Sequence, residues 1–198
     1  MMGVVGAVAA LLGTGIASAA VPVDQFLNWN GNFPIIGNLD PITTETVTSL
    51  PSPVTVGTAS ANFPVSVKID APPLATTGLE TVGAASTSGS AQVTVRCTDS
   101  AGATTTETIN LTIPATATPP NGSDFVVTAT GSANIPPIAN AGNVTCTVLT
   151  PASTTLSPVD ANGNPTILGT FTVTLNQDAT GPSQNPTNNP TLGTIVAQ

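Results

Sequence analysis

Apolar and polar residues alternate most regularly between Ala91 and Ile113. Ala91, Val93, Val95 and Cys97 share one side while Gln92, Thr94, Arg96 and Thr98 share the other, the period of a strand with one buried face. Ile109, Leu111 and Ile113 repeat the pattern against Thr108, Asn110 and Thr112, and Asp99-Ser100-Ala101-Gly102 supplies turn residues between the two arms. The pattern predicts a hairpin with Cys97 turned toward the core. Cys146 stands on the apolar side of another row, Val144, Cys146 and Val148, so the two sulfurs are expected to meet between strands.

Other rows extend the pattern. Phe63, Val65, Val67 and Ile69 predict a strand from Asn62 to Asp70, and Phe125, Val127 and Ala129 predict another. Ile167, Gly169, Phe171, Val173 and Leu175 read as a last long strand, with Phe171 buried. Phe33 to Gly37 is a short apolar run, and Val54 to Val56, beside Pro51 and Pro53, suits an edge strand. Ala20 to Asn32 reads as irregular, Ala71 to Ser90 as a loop or short crossing element, and Pro114 to Ser123 as a crossover. No window after the start carries a helical period. The expected fold is all-β, an antiparallel immunoglobulin-like β-sandwich of about six to eight strands, spanning residues 20–176.

The two ends differ from this body. Gly3 to Ile16 is an apolar run closed by Ala17-Ser18-Ala19, the small-x-small pattern of a cleavage site, so residues 1–19 read as a signal peptide. The run is shorter than the roughly 20 residues of a bilayer span, although no Lys or Arg precedes it. Residues 177–198 are rich in Pro, Asn and Thr and read as a flexible tail. The expected product is secreted or held at the cell envelope, without a transmembrane span in the mature chain.

Composition narrows the chemistry. Two basic residues, Lys68 and Arg96, stand against ten acidic ones, for a net charge of -8. Nucleic acid is excluded as a partner, since phosphate binding needs clustered Lys and Arg. The chain has no His and no Tyr, which removes the usual general base and every Ser-His-Asp arrangement. No catalytic, cofactor or metal residues are assigned. The remaining acid-base candidates are Asp99, Glu107, Asp124 and Asp160, placed by turns and strand starts where loops gather. Asp160-Ala161-Asn162-Gly163-Asn164 has alternating oxygen ligands, but Pro165 stands at the position of the sharp-turn Gly, so it reads as a turn. Trp29, the only tryptophan, is either a surface-contact residue able to stack on sugar or a cover for one end of the core.

Phe33-Pro34-Ile35-Ile36-Gly37, the Val54 to Ile69 strand pair, Leu111-Thr112-Ile113-Pro114, and Asp160 to Pro165 leading into Leu168-Gly169-Thr170-Phe171 resemble, in that order, a family of secreted actinobacterial domains of unknown function, DUF6801. The resemblance covers about residues 33 to 175. It implies secretion and a β-fold and brings no catalytic residues. Cysteines in that family often lie near the first and last strands, where this chain has Gly31 and Leu175.

The expected function is therefore a structural or adhesive module without catalysis, meeting an envelope protein or glycan through its sheet faces, edges or end loops. The alternatives are a surface-fibre subunit that self-associates by strand addition through Leu192 to Val196, and more remotely a carboxylate-dependent hydrolase.

Overall fold

The hairpin expected around Asp99 is built from two strands of 14 residues, β4 (Ser86–Asp99) and β5 (Thr104–Ala117), and β4 organises the rest. In the computed structural model, residues 19–178 and 188–198 are described. Before β4 come β1 (Val21–Phe33), β2 (Gly37–Leu50), β3 (Phe63–Ala71) and a helix, α1 (Pro73–Thr81). After β5 come β6 (Phe125–Ala133), β7 (Gly142–Val148), β8 (Ala152–Val159), β9 (Phe171–Gln177) and β10 (Thr191–Ala197).

One edge of β4 pairs with β5 along nearly its whole length. The other edge serves two strands: Ser86 to Gln92 pair with β8, and Val95 to Asp99 pair with β7. The β8 pairing closes a ring of eight strands, β4-β5-β6-β3-β2-β1-β9-β8, with every neighbour antiparallel. β4 changes partner from β8 to β7 between Gln92 and Val95. Its register slips between Thr87 and Gly89, and a Cβ on Gly89 would lie 2.0 Å from the Thr155 carbonyl oxygen, so only glycine permits that approach.

The wall is thus a closed barrel, not the immunoglobulin-like sandwich expected above. Alternation shows which face of a strand is buried, and both architectures bury one face. Closure depends instead on long-range edge choices, the β4–β8 ladder and the short β1–β9 ladder from Trp29 to Gly31. The all-β class holds. Inward rows expected at Val95 and Cys97, at Ile109, Leu111 and Ile113, at Phe125, Val127 and Ala129, and at Val144, Cys146 and Val148 are buried.

Several expected elements differ. Residues read as irregular from Ala20 form β1, and β2 and β8 are strands that the alternation does not predict. Phe33 to Gly37 is not a strand of its own: it contains the β1–β2 turn, where Ile35 adopts φ 72°, a position unusual for a β-branched residue. Val54 makes only a bridge, to Ala197. The segment after β3 contains α1, which starts at Pro73 and buries Ala75, Thr76, Gly78 and Leu79; nine residues held by packing show little periodicity. Ile167 is exposed and β9 begins only at Phe171, which is half-buried with its ring edge-on to Phe33.

The expected flexible tail ends in β10, antiparallel to β7 with Ile195 opposite Val144. On its far side the Val54 N–H donates to the Val196 carbonyl (2.9 Å), and the Gln198 N–H donates to the Val54 carbonyl (3.0 Å). Ile195 and Ala197 are buried, and that burial overrides the polar composition before them. The expected signal peptide, up to residue 18, and tail residues 179–187 lie outside the described residues.

Candidate functional site

An eight-stranded barrel has an interior just wide enough for side chains to fill or for one small ligand. Which outcome occurs depends on the bulk of the inward residues. Here aromatic residues are 3% of the chain, and small side chains such as Ala71, Ala91 and Ala133 occupy buried wall positions. Among the described residues, the lumen contains two cavities of about 80 Å³ each.

The first cavity is bounded by Leu27, Trp29, Val65, Val95 and Ile109, with Ile135, Pro136 and Leu192 toward the β7–β10 side. Its polar lining includes Thr46, Glu107 and Ser153. Thr44 is engaged, since the Trp29 indole N–H donates to its Oγ1 at 2.9 Å. The second cavity is bounded by Phe33, Ile113, Phe125 and Phe171, and is covered by α1 and by Pro34, Ile36 and Leu168. Helix and turn are in close contact: a Cβ on Gly78 would lie 2.7 Å from Ile36 Cγ2. Ile69, Ala91 and Leu175 line both cavities, so the two adjoin at a shared waist.

Trp29 is 3% exposed and is therefore not the surface-contact residue considered above; its ring lines the first cavity. Cys97 and Cys146 are register partners on β4 and β7, joined by a disulfide with an S–S length of 2.02 Å. Gly31 and Leu175 are likewise register partners, on β1 and β9.

The carboxylates divide by task. Asp99 accepts the N–H groups of Ala101 (3.0 Å) and Ala103 (2.9 Å), and both the backbone N–H (3.2 Å) and the side-chain amide (2.8 Å) of Asn140. The Asn140 side chain is the main cause holding Asp99 below the ordinary carboxylate value of 3.8; burial opposes it, and the backbone donors add to it. Asp160 accepts the N–H groups of Asn162 (2.8 Å) and Asn164 (2.9 Å). Its carboxyl is also held low, first by the Asn164 backbone, in keeping with a turn. Glu107 lines the first cavity. Asp124 lies near Asp70, whose carboxyl is raised by burial and then by the Asp124 charge, with Lys68 opposing. Among the described residues, no group of three or more His, Cys, Asp or Glu could hold a metal ion, and no helix is long and apolar enough to cross a membrane.

Sequence reasoning missed the residues at the waist as a set. Ala91 was the one available signal, a small side chain in an otherwise bulky inward row.

No curated protein and no solved structure matches the chain. The model of DUF6801, a family of unknown function, matches residues 28–187. That span takes in at least part of every strand of the closed wall, and the chain belongs to the family of unknown function DUF6801.

Proposed function

We propose that this protein is an exported, envelope-associated binding module that takes a slender apolar molecule, such as an aliphatic chain, into its lumen and performs no chemistry on it. The observation that carries this reading is the pair of apolar cavities sharing the waist of Ile69, Ala91 and Leu175. Apolar cavities stay dry and accept apolar guests, and two adjoining at a waist suit a narrow, elongated one. The disulfide supports export to an oxidising compartment. Two of the four acid-base candidates, Asp99 and Asp160, have their carboxylates engaged in turn hydrogen bonds, which supports binding over catalysis. Recognition through the lumen replaces the extended sheet face considered from sequence. Strand addition by Leu192 to Val196 is less well supported, because β10 is already paired with β7 and bridged to Val54.

Trp29 is the only tryptophan and there is no tyrosine, so intrinsic fluorescence reports on the first cavity. Titration with hexane or hexan-1-ol should change Trp29 emission saturably and raise Tm by mass action. Ala91→Leu fills the shared waist and should abolish both effects, at a packing cost of about 1–3 kcal/mol that leaves the disulfide-linked barrel folded by circular dichroism. No saturable response in the wild type, or an equal response in the folded variant, would refute lumen binding.

A further inference from the structure

Thr87 is wholly buried, on the stretch of β4 that pairs with β8, where the register with β5 slips. It lines the second cavity, and its hydroxyl has no hydrogen-bond partner among the described residues. A buried hydroxyl left unsatisfied costs free energy that an isosteric Val would avoid. The neighbouring polar group, Thr154, is engaged, its Oγ1 directed at the Ser90 carbonyl at 3.2 Å. Among the described residues lining this cavity, Thr87 thus carries the one side-chain hydroxyl without a partner, in surroundings formed by side chains such as Ile113, Phe125 and Leu156.

We infer that the second cavity takes a neutral aliphatic molecule bearing one hydrogen-bonding oxygen, such as an alcohol or a ketone, and that this oxygen pairs with Thr87 Oγ1. The inference rests on the lumen-binding reading and adds the ligand's polarity and its orientation. A hydroxyl both donates and accepts, so Thr87 satisfies either kind of oxygen. An ionised carboxylate is disfavoured because burying it requires a paired charge, and the chain's two basic side chains, Lys68 and Arg96, are both exposed. The apolar remainder of the guest then extends past Ala91 and Leu175 toward the first cavity.

Calorimetric titration of the full chain with hexan-1-ol, hexane and hexanoate at neutral pH tests this, using wild type, Thr87→Val and Thr87→Ser. Thr87→Val should weaken hexan-1-ol binding by about 2- to 10-fold, the range of one net hydrogen bond, and leave hexane unchanged. Thr87→Ser should keep the alcohol's advantage, and Thr87→Val without ligand should be at least as stable as wild type. Unchanged alcohol binding in Thr87→Val, or equal weakening of alcohol and hexane, would overturn the pairing while leaving lumen binding intact. Hexanoate binding as tightly as the alcohol would overturn the neutral class. Absence of binding by alcohol and hexane alike in the wild type would overturn the lumen reading together with this inference.

Discussion

Replacing Ile195 by Ala tests whether β10 belongs to the folded body. Ile195 is 0% exposed, and so are Val144 opposite it and Cys146. The substitution removes three carbons, worth about 2.4 kcal/mol at 0.8 kcal/mol per methylene. Because its neighbours are themselves enclosed, the gap cannot close by collapse from solvent, and a cavity term brings the loss to about 3–4 kcal/mol. With a urea m-value of roughly 1–3 kcal/mol/M, the midpoint should fall by about 1–4 M with m unchanged. The control is Val196→Ala, one residue on and 43% exposed, which should cost under about 1 kcal/mol. Equal, small losses for the two would refute the reasoning: the C-terminal residues would then be the mobile tail that composition suggests, and the β7 edge would stand open.

Three further outcomes are expected. Intact-mass analysis should show Cys97 and Cys146 oxidised in secreted protein, and replacing both by Ala should cost up to about 4 kcal/mol on the chain-entropy account of a loop spanning 49 positions; two free thiols in fresh material would count against it. Asp99, held below 3.8 by Asn140 and backbone donors, contributes stability that is present above that ordinary value and lost as pH falls through its lower folded value. Urea midpoints measured from neutral pH down to about pH 2 should therefore drop less steeply in Asp99→Asn than in wild type, and parallel curves would show that Asp99 is not linked to folding. Gly31→Cys with Leu175→Cys, register partners across β1 and β9, should form a second disulfide detectable by mass, whereas persistent free thiols would place the two strands out of that register.

The residues facing inward were legible wherever alternation ran unbroken, as at Val144, Cys146 and Val148. It failed where a wall strand carries polar groups inward or loses register. In β1, Gln25 and Asn28 are buried and the ladder shifts between Trp29 and Gly31. In β8, Thr154 and Pro158 are buried. Such strands look like loops in a one-dimensional reading because their partners, not their own composition, settle their conformation. The lumen was less legible still. A cavity is a deficit of volume summed over many strands, so Ala91 and Leu175 acquire their meaning only once Ile69 is seen beside them. The Asp160 turn lies at the opposite extreme, because its donors are two and four residues away and local spacing sufficed.

The β1–β9 ladder sets the order in which the molecule can be made. Trp29 pairs with Gln177 and Gly31 with Leu175, so the wall cannot close until almost the entire chain is available. Contacts of such sequence separation carry a large loop-closure entropy and belong to chains that fold in milliseconds to seconds. The β4–β5 hairpin can form long before that, and Cys97 can meet Cys146 as soon as β7 has emerged. A chain that emerges N-terminus first therefore holds an unpaired β1 edge until β9 arrives. Throughout that interval the residues of the future lumen are in contact with solvent, and they leave it together when the β1–β9 ladder closes the wall.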